Sequence, residues 1–269
     1  MHGLGNDFVV LDRISNPEID ITPALAKQLG DRHFWVGCDQ ILVIEPSTIE
    51  DFKYRIYNQD GSEVEMCGNG ARCFLQYIQE KWLTDKSEVH VEIAKGKIIL
   101  KTDGKNIMVD MGAPITDDDL IPVTKWIRTV ISDGREFIFI PVSMGNPHAV
   151  IFLDEDVANF AVPRYGRPIE LSLKIFPKKV NVEFVSIISP THIDMHVWER
   201  GAGETLACGT WACAAVVAGI LSGRLKKNIS IKVSLIGWDL YVSWSGKPGD
   251  SVMMSGSATT VFDGEFIVR

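Results

Sequence analysis

Two segments of this chain read almost alike. Met66-Cys67-Gly68-Asn69-Gly70-Ala71-Arg72-Cys73 and Ala207-Cys208-Gly209-Thr210-Trp211-Ala212-Cys213 each set a Cys-Gly turn ahead of a helical stretch. Their leading cysteines stand 208 − 67 = 141 positions apart in a chain of 269 residues. Residues 69–83 carry Phe74, Leu75, Ile78 and Trp82 at helical spacing, and residues 211–221 are apolar nearly all round, as a helix buried on every side would be. A second echo joins Asp110-Met111-Gly112-Ala113-Pro114 to Ser143-Met144-Gly145-Asn146-Pro147. These echoes predict an internal duplication: two similar halves, each a curved sheet around one helix, divided near residues 112–115.

The rest of the chain is mostly short strands. Segments 7–12, 40–45, 52–58, 89–95, 97–102, 107–111, 137–142, 148–153, 181–187, 192–198, 229–234, 239–243 and 262–268 are rich in Val, Ile, Phe or Tyr. Gly, Asp, Asn or Pro bounds them. A third helix is predicted over 22–29, with Thr22 as N-cap and Pro23 at the first helical position. Composition fits a globular chain: 46% hydrophobic, 23% charged, formal net charge −8. No basic excess exists for a nucleic acid or an anionic membrane. The longest near-apolar run, 211–221, is far shorter than the roughly 20 residues of a membrane span. With neither a basic n-region nor an apolar h-region at Met1, the chain reads as cytoplasmic. Five cysteines, an odd number, predict free thiols.

A helix N-terminus offers partial positive charge and unbonded N–H groups. A cysteine there has a lowered pKa, and the same N–H groups hold a carboxylate. Two such turns, one per half, suit a pair of thiols acting on opposite faces of one carbon. One removes a proton, the other delivers one, and no cofactor is needed if the carbanion is stabilised. Cys38, Cys73 and Cys213 read as core residues. No Cys-x-x-Cys exists, and neither Cys67/Cys73 nor Cys208/Cys213 shares a helix face, which argues against a metal site. The Gly61–Gly70 stretch lacks the Lys-Ser/Thr of a phosphate loop.

The chain resembles the diaminopimelate epimerases in order along nearly its whole length. The resemblance is carried by His2-Gly3-Leu4-Gly5-Asn6-Asp7-Phe8, Asn58-Gln59-Asp60-Gly61-Ser62-Glu63, both Cys-Gly turns and Gly145-Asn146-Pro147-His148. Val180-Asn181-Val182-Glu183-Phe184, Trp198 to Thr205 and Phe262-Asp263-Gly264-Glu265 continue it. It implies an α/β fold of two pseudo-symmetric domains, each a curved, mostly antiparallel, barrel-like sheet around a central helix. Residues 1–112 plus 258–269 would form the domain carrying Cys67, and residues 113–257 the one carrying Cys208. The active site would lie in the cleft between them, and the C-terminal strand would return to the first domain. It implies Cys67 and Cys208 as acid/base pair, assisted by His148 and Glu199. It places the α-carboxylate on the amides of Gly68, Asn69, Gly209 and Thr210, with Asn6 and Gln40 beside it. Asn58, Asn146, Asn181 and Arg200 would read the distal amino-acid end, where Arg can hold a carboxylate bidentately.

The implied activity is the PLP-independent interconversion of L,L- and meso-2,6-diaminopimelate in lysine and peptidoglycan precursor biosynthesis. It would proceed with no cofactor, no metal, an amino-acid substrate and a homodimeric enzyme. The same two-thiol chemistry on another amino acid such as histidine, a thiol redox protein and an inactive homologue are the other readings. Three features depart from the family pattern. Trp211 stands where a small residue is usual, and Trp238 where Gly suggests a special backbone angle that Trp would strain. The start at Met1-His2 is short enough to clip the first strand.

Overall fold

The computed structural model describes residues 1–18, 20–64, 66–104, 106–204 and 209–267. The chain divides into two compact units, Met1–Val109 with Ser255–Arg269, and Asp110–Met254. The fold is mixed α/β, with many short strands and few helices.

In the first unit the strands are β1 (His2–Gly3), β2 (Asn6–Asp12), β3 (Gln40–Glu45), β4 (Phe52–Asn58), β5 (Glu63–Val64), β6 (Glu88–Ile93), β7 (Gly96–Thr102) and β8 (Ile107–Asp110). Their order in the sheet is β1-β2-β3-β4-β6-β7-β8, with β5 beside β4. β2 runs parallel to β3 and β4 parallel to β6, while β3–β4, β6–β7 and β7–β8 are antiparallel. Strand alternation sends side chains to two faces. Leu11, Ile41, Val43 and Tyr57 pack with Leu25, Ala26 and Leu29 of helix α1 (Pro23–Gly30). The opposite face receives helix α2 (Gly68–Glu80), whose Phe74 ring meets Phe52 and Tyr54 edge-on. Thr22 caps α1 by accepting from the Leu25 amide, as its sequence predicts.

The second unit repeats this plan. Its strands are β9 (Thr129–Ser132), β10 (Arg135–Ile138), β11 (Ile140–Ser143), β12 (Pro147–Leu153), β13 (Asn181–Ser189), β14 (His192–Glu199), β15 (Gly203–Glu204), β16 (Ile231–Leu235), β17 (Trp238–Ser243) and β18 (Met253–Gly256). β12 is parallel to β13, β13 antiparallel to β14, β14 parallel to β16, and β16 antiparallel to β17. That is the pattern of the first unit's β2, β3, β4, β6 and β7. β9 and β10 form a separate hairpin. Helix α3 (Val162–Glu170) takes the place of α1, and helix α4 (Gly209–Leu221) the place of α2. Ala149, Ile151, Leu153, Val182 and Phe184 face the α3 side with Val162 and Ile169. The alternate residues of β12 and β13 face α4, which is buried from Trp211 to Gly219. Two pseudo-symmetric halves are thus built into the topology.

Three expectations are corrected. Helix α3 escapes the sequence pattern because Pro163 and Pro168 interrupt it. Pro163 is harmless in the first turn, and packing of Val162 and Ile169 into the core offsets the bond lost at Pro168. Residues 262–267 form no strand: the last bridge is Thr259 with His2, and Lys81 then pairs with Asp263 at 2.8 Å. Phe262 and Ile267 are exposed, and Phe266 packs against the core on the α1 side without strand pairing. Trp238 carries no left-handed backbone strain. The β16–β17 turn places that angle on Gly237, at φ 82°, and Trp238 opens β17 in extended form opposite Leu235.

Candidate active site

In the first unit the site is built around the start of α2. Cys67 is its N-cap, in extended conformation, with the Ala71 amide bonding the Cys67 carbonyl at 2.8 Å. The buried Tyr54 hydroxyl accepts from the Cys67 amide at 3.3 Å and donates to its carbonyl at 3.2 Å, so one phenol clamps the peptide. Burial, and then the neighbouring Cys67 charge, push the Tyr54 phenol well above its usual pKa, which keeps it a donor. Cys67 is half-buried, whereas Cys38 and Cys73 are fully buried. Burial pushes those two thiols up to about 11 and about 12, leaving them inert as the sequence predicts.

The Cys67 sulfur meets a polarised chain of amides. Asp39 only accepts, so Asn6 turns its Nδ2 to Asp39 Oδ2 at 3.1 Å. Arg72 only donates, so the Asn69 Oδ1 faces Arg72 Nη2 at 2.9 Å. Both orientations leave Asn6 Oδ1 accepting from Asn69 Nδ2 at 3.3 Å and from Cys67 Sγ at 3.7 Å. The Arg72 side chain is fully buried, and Asp39 is held by Arg32 at 2.7 Å. β1 lies so close that a Cβ on Gly3 would stand 2.9 Å from the Asn69 carbonyl oxygen. Gln40 and Asn58, opposite each other on β3 and β4, bond side chain to side chain at 3.0 Å.

In the second unit, Cys208 lies outside the described residues, and α4 opens at Gly209. Asn146, ahead of β12, bonds Thr210 Oγ1 at 3.4 Å and His148 Nε2 at 2.8 Å. His148 Nδ1 lies 2.6 Å from Glu183 Oε1, with both residues fully buried. Asn181 Oδ1 accepts from the Arg200 amide at 2.9 Å, and Asn181 Nδ2 donates to the Pro147 carbonyl. Arg200 itself is exposed, and Glu199 is half-buried at the end of β14.

Sequence reasoning missed two carboxylates here. Glu183 is one. Its signal was a charged residue inside an apolar run on β13, beside a strand-borne histidine. Glu170, at the end of α3, is the other. It accepts from Trp198 Nε1 at 2.8 Å and from the Gly201 amide at 3.0 Å, so it braces the corner that carries Glu199 and Arg200. Burial pushes the Glu170 carboxyl up, but these two bonds and Lys179 reverse that and hold it below the usual carboxylate range. Among the described residues, no group of His, Cys, Asp or Glu is placed to hold a metal ion. No helix there is long and apolar enough to cross a membrane.

A family model described as diaminopimelate epimerase matches residues 1–116 and 140–261. The chain belongs to the diaminopimelate epimerase family. It is 49% identical to the diaminopimelate epimerase of Azoarcus sp. (strain BH72), covering 98% of this chain and 96% of that one. It is 43% identical to that of Methanococcus maripaludis, over 98% and 97%. Membership of the diaminopimelate epimerase family makes the protein an isomerase. Its fold is similar to that of a Bacillus anthracis phenazine biosynthesis protein of the PhzF family, with TM-score 0.71, 16% identity and coverage of 100% and 95%. It is also similar to an Agrobacterium vitis hydroxyproline epimerase, with TM-score 0.61, 15% identity and coverage of 88% and 78%.

Proposed function

We propose that the protein interconverts L,L- and meso-2,6-diaminopimelate by a two-base proton transfer, without PLP or any other cofactor. The observation that carries this reading is the placing of Cys67. It is a half-buried thiol at a helix N-terminus, next to a fixed amide acceptor, in a unit whose other described thiols are buried. A thiolate takes the α-proton from one face. The electron pair moves into the carboxylate, and the opposite thiol delivers its proton to the other face. The two sulfurs exchange protonation states, and the reverse reaction restores them. Cys67 and Cys208 fill these roles, with His148 and Glu199 assisting.

The amides of Gly68, Asn69, Gly209 and Thr210 receive the α-carboxylate, where helix N-termini stabilise the developing charge. Asn6 and Gln40 border the reacting centre. Asn58, Asn146, Asn181 and Arg200 bind the distal end, and a second amino-acid head suits Arg200 with three Asn side chains. The reading extends to two domains, 1–112 with 258–269 and 113–257, sharing one active site. It extends further to a cytoplasmic homodimer serving lysine and peptidoglycan precursor synthesis.

Proton NMR with L,L-diaminopimelate in D₂O tests this. The α-hydrogen signal is expected to fade as deuterium enters and the meso isomer forms. Cys67→Ser and Cys208→Ser should each slow epimerisation by about 10²-fold or more, the scale of a lost general acid or base. Epimerisation at the wild-type rate in either variant would overturn the two-thiol mechanism. A wild-type protein inert toward this substrate would move the reading to another amino acid, histidine first.

A further inference from the structure

His148 and Glu183 share the α4 side of the second unit's sheet, and both are 0% exposed. Asn146 presents its Oδ1 to His148 Nε2 at 2.8 Å. A carbonyl oxygen only accepts, so Nε2 carries a proton. On the other side of the ring, Nδ1 and Glu183 Oε1 are 2.6 Å apart. Two bare lone pairs would repel at that distance, so a proton lies between them. The pair is then imidazolium with carboxylate, or imidazole with carboxylic acid. In both states Nε2 remains a donor. Among the described residues Glu183 Oε2 is buried without a hydrogen-bond partner, a poor setting for a full negative charge, and burial pushes this carboxyl up despite the histidine.

The other unit supplies an internal control. In register, the first paired residues of β2 and β3 are Phe8 and Gln40, and those of β12 and β13 are His148 and Asn181. Two residues beyond Gln40 stands Leu42, and two beyond Asn181 stands Glu183. Phe8 and Leu42, both buried, therefore occupy the places of His148 and Glu183. This sheet closes on its helix with apolar residues there, so the ionisable pair is not a demand of the fold.

The geometry points to Glu183 as a positioning residue that holds His148 with Nε2 as the donor before transfer and keeps a second proton in reserve between Nδ1 and Oε1. Its catalytic consequence rests on the two-thiol reading, through the role given there to His148. When the Nε2 proton passes to a thiolate, the sulfur becomes a thiol. Nδ1 then takes the shared proton from Oε1, and Glu183 is left as a carboxylate. The return step reverses each transfer, so no other acid or base is required.

Glu183→Gln tests this. Its amide donates to Nδ1 and preserves Nε2–H, but removes the shared proton. The imidazole of His148 is read by nitrogen-15 NMR in the full chain without substrate, and turnover is read with L,L-diaminopimelate. The wild type should show a strongly deshielded proton shared between His148 Nδ1 and Glu183 Oε1 that Glu183→Gln lacks. In Glu183→Gln kcat should fall about tenfold or more, toward the scale of general acid–base catalysis, with KM changed by less than about twofold. Glu183→Asp should restore the deshielded proton and part of kcat. A wild-type kcat in Glu183→Gln, or a wild-type spectrum with no shared proton between Nδ1 and Glu183 Oε1, would overturn the inference. A protein inert toward diaminopimelate would sink the functional reading alone. The wild-type spectrum would still decide the pair, even where a variant fails to fold.

Discussion

The two units answer the same packing problem with different chemistry, and the pairs of matched positions show how. Cys67 follows Asn58 by nine residues, and Cys208 follows Glu199 by nine. Counted from these cysteines, Gly70 in α2 matches Trp211 in α4, and Tyr54 in β4 matches Met195 in β14. In the first unit a Cβ on Gly70 would meet the Tyr54 hydroxyl at 2.9 Å and Phe8 Cε1 at 3.2 Å, so the strand supplies the bulk and the helix must be small. In the second unit the helix supplies the bulk. Trp211 is 1% exposed, and the matched strand residue is the buried but slimmer Met195. The exchange of large and small adds more volume on the helix, Gly to Trp, than it removes on the strand, Tyr to Met. It also has a chemical cost. Tyr54 clamps the Cys67 peptide with its hydroxyl, and Met195 has none to offer. Trp211 even buries its Nε1 with no acceptor among the described residues.

The sharpest way to break this comparison is Trp211→Gly, which makes α4 resemble α2 without restoring its tyrosine. Emptying a buried indole site should cost about 3–5 kcal/mol of stability, read as a lower denaturation midpoint. The double variant Trp211→Gly with Met195→Tyr should recover part of that loss, because Tyr fills only a fraction of the emptied space. Partial recovery would support the matching of the two sites, and no recovery would show that they are not matched. The charged pair gives the next largest effect. Glu183→Leu alone strands His148 in the interior and should cost about 3 kcal/mol. Adding His148→Phe recreates the apolar pattern of Phe8 and Leu42, and should return stability to the wild-type level or slightly above it. The same double variant should lose epimerisation, which separates the pair's catalytic use from its structural one. A double variant less stable than Glu183→Leu would show that the second sheet needs its ion pair after all.

Much of this was legible in the sequence because it was local or repeated. The Cys-Gly turn before α2, the apolar girth of 211–221 and most of the alternating strands are short-range patterns that survive into the structure, while Cys208 of the second turn lies outside the described residues. What could not be read was either masked or long-range. Helix α3 was masked by its prolines. Phe262 and Ile267 promised a strand, yet a strand needs a partner edge, which alternation alone does not report. Trp238 looked strained because a glycine was expected there, whereas the turn needs only Gly237 at positive φ. Glu170 and Glu183 were missed for a common reason. Each acts on a group distant in sequence, Trp198 for Glu170 and His148 for Glu183, and only the parallel strand pairing and α3 bring them together. Asn6 shows the same limit in the first unit. Its type was legible, but not the orientation that Asp39 and Arg72 impose at its two ends.

The corners after β4 and β14 give the last and smallest contrast. In the first unit the corner's ties to other elements are uncharged, and its exposed carboxylate, Asp60, accepts only from the Ser62 amide and hydroxyl, at 2.8 and 2.6 Å. Gln59 Nε2 donates to the Cys38 carbonyl at 2.7 Å, and Gly61 lies so close to α1 that a Cβ would stand 2.4 Å from the Pro23 carbonyl oxygen. In the second, Glu170 does the equivalent work with a carboxylate whose pKa the fold lowers from 4.5. A carboxyl with a lower pKa folded than unfolded stabilises the protein above its unfolded pKa, and that contribution disappears as pH falls through the folded value. Acid should therefore loosen the tie of the Glu199–Arg200 corner to α3 while leaving the Gln59 tie to the Cys38 carbonyl intact. Hydrogen exchange at the Gly201 amide, followed from neutral pH to below 4.5, should rise relative to that at the Ala26 amide of α1, which bonds the Thr22 carbonyl, once intrinsic rates are divided out. Glu170→Gln retains an acceptor for one of the two bonds, so at neutral pH it should cost about 1–2 kcal/mol. Its stability should also fall less steeply below pH 4.5 than that of the wild type. Equal slopes for the two proteins would mean that the ionised carboxylate adds nothing a neutral acceptor does not, and the two corners would then differ in geometry alone.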